Sequence, residues 1–233
     1  MGKFSITDQP PLILHPFDLE ESMELINSFF DQYKSTMQPD RKHLLDQYHI
    51  TDVALKVVGV GSVGTRCYIA LMLNDNGESL FLQVKEARQS VMEPYTKPSV
   101  YQHHGERIVQ GQRLMQSASD IFLGWTTGPT GRHFYVRQLR DKKISANVET
   151  MNKDILMIYA RFCARVLAKA HCKTNKGAVI CGYMGKGDNF ATAMNEFAKL
   201  YADQTEKDFD EFKKAVQRGE LEMAENPASL AEA

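Results

Sequence analysis

Cysteine is scarce in this chain, with four in 233 residues, at Cys67, Cys163, Cys172 and Cys181. None belongs to a CxxC pair or stands at a Cys/His metal spacing, so zinc-ribbon and redox-motif readings fall away and buried, reduced thiols are expected. An excess of charge is also lacking, with 28 lysines and arginines against 29 aspartates and glutamates. Such balance gives no electrostatic footprint for nucleic acid or for an anionic membrane. Long hydrophobic runs are missing too. The longest, ILMIYARFCARVLA from Ile155 to Ala168, is interrupted by arginines and falls short of the roughly 20 residues of a spanning helix. The opening MGKFSITDQPP has no apolar segment of the kind a signal peptide carries. There is no internal repeat. A soluble, cytoplasmic protein with no membrane and no nucleic-acid partner is expected. The neighbouring His103 and His104 point in different directions on a helix and have no Cys or carboxylate at i+4, so no metal site is expected there.

What the chain does have is periodicity. Asp18 and Glu21 form a D-x-x-E start that resembles a capping box. Leu19, Met23, Ile26, Phe30, Tyr33 and Met37 follow at steps of four and three, one face of a helix. Pro39 opens a second short helix to about Tyr48. From Ile50 the pattern turns to alternation: a strand to Val58, a glycine stretch, a strand through Cys67, Ile69, Leu71 and Leu73, the turn signal Asn74-Asp75-Asn76-Gly77, and a strand over Ser79–Ala87. This predicts a three-stranded antiparallel meander. Pro94 and Pro98 precede a helix carrying Ile108, Leu114, Met115 and Ala118 to about Ser119. Ile121–Trp125 and His133–Arg140 read as two further strands. A long amphipathic helix follows from Asp154 to His171, then a turn around Gly182 to Asp188 and a helix carrying Phe190, Met194, Phe197 and Tyr201.

The glycine stretch VVGVGSVGTRCYIALML raises the chemical question. Gly59, Gly61 and Gly64 are spaced G-x-G-x-x-G, a weak signal alone. A dinucleotide fold needs a helix after the glycines, to set its N-terminus on the pyrophosphate. The residues after Gly64 alternate as a strand, and no parallel crossover follows, which argues against an oxidoreductase. Between antiparallel strands the same spacing lets backbone N–H groups close over a triphosphate. That use also requires a cation on the next strand and a carboxylate on a helix to orient it. Lys85 stands twenty-one residues after Gly64, and Glu106 twenty-one residues after Lys85. Each has an ordinary explanation: a strand-end lysine is usually a solvated charge, and an acid in a first helical turn suits the macrodipole. Their conjunction on the required elements is what favours a nucleotide site.

At KVVGVGSVGTRCYIALML, LFLQVKEARQSV, GERIVQGQRLMQSASDIFLGW, FYVRQLRDKK and YADQTEKD the chain closely resembles a bacterial family catalogued as domain of unknown function 2252, over about Pro39 to Arg218. That family resembles protein-kinase-like folds, aminoglycoside phosphotransferases among them. The resemblance implies an α+β fold: residues 1–49 an N-terminal helical segment, 50–145 a kinase-like N-lobe of five antiparallel strands and one crossing helix, 146–218 a helical part and 219–233 a flexible tail. It implies that Gly59, Gly61, Ser62 and Gly64 cover the phosphates of ATP, that Lys85 contacts them, that Glu106 positions Lys85, and that Gln138, Leu139 and Arg140 form the hinge at adenine. Relatives resembling this chain carry upstream a C-G-D-x-H-x-x-N block and a D-F-D-E segment, similar to a catalytic loop and a metal-binding acid. Neither string occurs here, so the chain is expected to match the family's C-terminal portion, with the Mg²⁺ ligands outside it and the missing segment supplied in cis or in trans. Gly187-Asp188-Asn189 is the nearest substitute and reads better as a helix N-cap, while Asp203, Glu206 and Asp208 read as a solvated helical face. The competing reading is a non-catalytic, pseudokinase-like interaction module.

Overall fold

The computed structural model describes residues 4–59, 62, 64–139 and 146–221. They fall into two compact units, one up to Asn152 and one from Lys153. In chain order the first contains β1 (Ile13–Leu14), α1 (Leu19–Ser35), α2 (Pro39–Leu45), β2 (Tyr48–Lys56), β3 (Cys67–Asn74), β4 (Ser79–Ala87), α3 (His104–Met115), β5 (Gly124–Thr127) and β6 (His133–Gln138). Asp18 caps α1 as expected, its carboxylate accepting the N–H groups of Glu20 and Glu21. The six strands form one open antiparallel sheet in the order β1-β2-β3-β4-β6-β5. The β2-β3-β4 meander matches the alternation, and its second turn closes with the Gly77 N–H donating to the Asn74 carbonyl at 3.0 Å.

The sixth strand corrects the count of five. Ile13 and Leu14 pair with Lys56 and Leu55, and two residues are too few to carry a period. β5 also starts later than read from Ile121, because Asp120 Oδ1 takes the Phe122 N–H at 2.8 Å and turns the chain there. The crossing helix α3 stops at Met115, with Leu114 and Met115 exposed. Its buried positions are Gly105 and Val109 instead.

Register assigns the two faces of the sheet, since paired residues share a side. One face carries Val53, Ala70, Met72, Leu82, Val84, Phe134 and Val136, packed with Phe30 and Tyr33 of α1 in the main core. Tyr33 Oη donates to the Phe122 carbonyl at 2.5 Å, and Thr126 Oγ1 donates to the Phe29 carbonyl at 3.0 Å, which fixes α1 across β5. The other face has a smaller cluster of Ile6, Ala54, Ile69 and Leu71. Beyond it lie Gln83, Lys85, Tyr135 and Arg137.

The second unit contains α4 (Lys153–Cys172), α5 (Gly177–Met184) and α6 (Asp188–Gln217). The apolar stripes of α4 and α6 match the sequence period, yet Ile158, Phe162, Phe197 and Leu200 are exposed and no described residue of these helices is buried. Cys163, Cys172 and Cys181 are likewise exposed, and only Cys67 is the buried thiol expected of all four. The turn expected around Gly182 to Asp188 is confined to Gly185–Gly187, since Gly182 to Met184 belong to α5. The Ala-Val-Ile run of α5, beside two glycines, carries little helical signal. Asp188 is the first residue of α6 rather than its cap; Gly187 holds the cap position at φ +90°.

Candidate functional site

The glycine-rich connection joins β2 to β3, as the sequence requires for a hairpin cradle. Within it the Ser62 N–H donates to the Gly59 carbonyl at 2.9 Å, and the Thr65 N–H to the Ser62 carbonyl at 3.0 Å. Gly64 has φ +72°, a region that side chains with a Cβ rarely adopt. Gly61 lies outside the described residues. A Cβ at Gly59 would meet nothing within 4 Å, so packing within the chain does not demand glycine there.

Lys85 sits opposite Cys67 on one side and Tyr135 on the other. Its Nζ donates to Ser62 Oγ at 3.2 Å, which ties the strand cation to the glycine-rich connection. Next along the same face, Arg137 donates through Nε and Nη2 to Gln83 Oε1 at 3.0 and 2.8 Å, and Gln83 reaches Cys67 Sγ at 3.4 Å. Burial pushes the Cys67 thiol up, against the opposing pull of Lys85, Gln83, Lys56 and Arg137, so it stays protonated beside these cations.

A second group braces the connection from below. The Glu86 carboxylate accepts from the Arg66 backbone N–H at 3.1 Å, from Arg66 Nη1 at 3.2 Å and from Arg88 Nε at 2.8 Å. Burial opposes its ionisation, but these donors outweigh that and hold the carboxyl below its usual range. Arg88 also donates to the Gly64 carbonyl, and Arg107 of α3 donates to the Arg88 carbonyl at 2.8 Å.

Glu106 lies in the first turn of α3. Among the described residues it forms no ion pair with Lys85, whose ammonium is directed at Ser62. Its N–H instead donates to Nδ1 of His103, the helix N-cap, at 3.2 Å. His133 of β6 stacks on His103 and takes the His104 N–H on its own Nδ1 at 3.0 Å.

At the proposed hinge, the Gln138 N–H donates to Asp120 Oδ2 at 2.6 Å and the Leu139 N–H to the Phe81 carbonyl at 2.8 Å. Both donors are therefore taken within the chain. Arg140 lies outside the described residues. Gln83, Arg137, Arg66 and Glu86 are the residues that sequence reading missed. Gln83 and Arg137 share the alternation phase of Lys85, and phase is the signal that would have found them.

The donor set of this face, an ammonium, a guanidinium and a hydroxyl beside open glycine backbone, fits phosphate oxygens. Among the described residues no group of three or more His, Cys, Asp or Glu is placed to hold a metal ion. Among them, too, no helix is long and apolar enough to cross a membrane.

Together these features define an α+β protein with an open antiparallel sheet, one end of whose second face is cationic. The chain belongs to the family described as an uncharacterized protein conserved in bacteria (DUF2252), whose model matches residues 1–215. No curated protein and no solved structure matches it.

Proposed function

We propose that this chain is the ATP-binding portion of a kinase-like phosphotransferase. The observation that carries the reading is the contact of Lys85 Nζ with Ser62 Oγ. A phosphate group entering between the two would replace the neutral hydroxyl acceptor of the Lys85 ammonium by an anionic oxygen and take up the Ser62 hydroxyl as a second donor. Gly59 leaves space for its oxygens to approach the backbone. The Glu86 brace holds the base of the hairpin through Arg66 and Arg88, so that the cradle is set before the ligand arrives. Glu106 is within the first turn of the helix laid against this face, and in the bound state it would attract Lys85 away from Ser62. Magnesium, when bound, neutralises charge on the phosphate oxygens. The strings similar to a catalytic loop and its metal-binding acid are absent from these 233 residues, so the chain is assigned donor binding and not transfer.

Titration of the chain with ATP and magnesium tests this. Saturable binding that Lys85→Ala weakens at least tenfold is expected. No saturable binding, or binding indifferent to Lys85→Ala, removes the reading. The second reading, a non-catalytic interaction module of pseudokinase type, draws on the exposed apolar faces of α4 and α6.

A further inference from the structure

Beside Lys85, on the same face of the sheet, stands a guanidinium that the phosphate cradle does not use. Gln83 and Arg137 are paired across β4 and β6, one step along the face from the Lys85–Tyr135 pair. Arg137 is half-buried and immediately precedes Gln138, the last residue of β6. Among the described residues its hydrogen bonds go to a single atom: Nε and Nη2 both donate to Gln83 Oε1, at 3.0 and 2.8 Å. Gln83 is 5% exposed, and its amide nitrogen is turned to Cys67 Sγ at 3.4 Å.

The buried amide thus fixes the inner edge of the planar fork. The outer edge, Nη1 with the second hydrogen of Nη2, has no partner among the described residues. It offers two parallel N–H donors and no acceptor. Because Gln83 is neutral, it orients the guanidinium without cancelling its charge, and a side chain already ordered loses less freedom when a ligand arrives.

The backbone at the expected hinge is occupied, with the Gln138 N–H on Asp120 and the Leu139 N–H on Phe81. A base lying at that end of the face is therefore read by side chains. Adenine presents its N6 amino donor beside N7, and such a donor meets an arginine hydrogen against hydrogen. Guanine presents two acceptors there, O6 and N7, which a guanidinium edge engages together.

We infer that Arg137, held in position by Gln83, makes this site take guanine nucleotides in preference to adenine nucleotides. The inference rests on the nucleotide-binding reading and names the base that the site selects, ATP being a weaker ligand of the same cradle. Arg137 is the specificity-determining residue, and Gln83 a positioning residue that acts through it.

Calorimetric titration of the full chain, in magnesium, with GTP, ITP, 7-deaza-GTP and ATP tests this. GTP and ITP, which share O6 and N7, are expected to bind at least tenfold more tightly than ATP, and 7-deaza-GTP, which lacks the N7 acceptor, to fall towards ATP. This comparison needs no variant. Arg137→Lys keeps the charge and removes the fork, and is expected to bring GTP to the ATP level while ATP is unchanged. Lys85→Ala is expected to weaken GTP and ATP alike and leave their ratio as it was. Binding of ATP as tight as that of GTP, or a GTP preference undiminished in folded Arg137→Lys, overturns the inference and leaves the cradle standing if Lys85→Ala still weakens both. Absence of saturable binding by all four nucleotides overturns the cradle and the inference together.

Discussion

His103 and His133 lie ring on ring, with centroids 3.8 Å apart and planes 19° from parallel. Each uses Nδ1 to accept a backbone N–H at the start of α3, from Glu106 and His104 respectively. Both rings must therefore be neutral there, with the proton on Nε2, for the helix start to stay capped. Burial, reinforced by the neighbouring His133 and His104, lowers His103 from 6.5 to about 4.

Stability should fall as the pH is lowered. Between pH 6.5 and about 4 the unfolded chain takes up a proton on His103 that the folded chain refuses, so the unfolded state gains and the fold weakens. With allowance for partial exposure the loss amounts to about 1–2 kcal/mol. His103→Asn keeps a capping oxygen and removes the titration. Its denaturation midpoint should drop less between pH 7 and pH 5 than that of the parent chain. The residual drop belongs to His133, which burial also lowers. An identical drop in both proteins would contradict the neutral cap.

Glu86 should matter more than its position beside Lys85 suggests. Its side chain is 5% exposed and holds two arginines. Glu86→Gln preserves shape but leaves buried Arg66 without its counter-charge, a change that costs about 3 kcal/mol in urea denaturation. The stabilisation from its lowered pKa is present above its ordinary value of 4.5 and disappears as the pH falls through the lower folded value. The Glu86→Gln chain should therefore lose less stability than its parent below pH 4.5, in a range under the main His103 window.

The two glycines of α3 should respond to alanine in opposite directions. A Cβ at Gly105 would stand 2.2 Å from the Phe134 carbonyl oxygen, a backbone atom that cannot give way. Gly105→Ala should cost about 1–3 kcal/mol, in spite of alanine's better helix propensity, by pushing the helix start off β6. At Gly111 a Cβ would meet nothing within 4 Å, so Gly111→Ala should add about 0.5–1 kcal/mol. Thermal or urea midpoints of the pair decide it. Destabilisation by both would mean that α3 packs differently.

How much of this was legible depended on the range over which a signal acts. The α1 cap at Asp18, the meander and the Gly77 turn are local and were readable from residue types alone. The long amphipathic helices were readable too, because period accumulates over many turns. Strand β1 was not, since its two residues are held by partners more than forty positions away. The candidate site divides in the same manner. That a cation, an acid and three glycines stand at suitable spacings is visible in one dimension. Which hydroxyl Lys85 contacts, and that the Glu106 N–H donates to the His103 ring, depends on how β4 and α3 meet the connection in space.

The bulge in β2 has a further consequence. Between Ile50 and Asp52 the register with β3 shifts by the extra residue Thr51, and the buried Asp52 carboxylate accepts the Ile6 N–H at 2.6 Å and contacts the His15 ring at 3.2 Å. β2 is nine residues long, and β1 pairs with only two of them. A straight strand so placed would offer its remaining backbone groups as a template for another chain. Here the bulge bends the margin, a charge is set into it, and the N-terminal arm is fastened over that charge. The arm covers this edge through Ile6 and His15, and loosening it at Asp52 is expected to expose unpaired strand to pairing with a second chain.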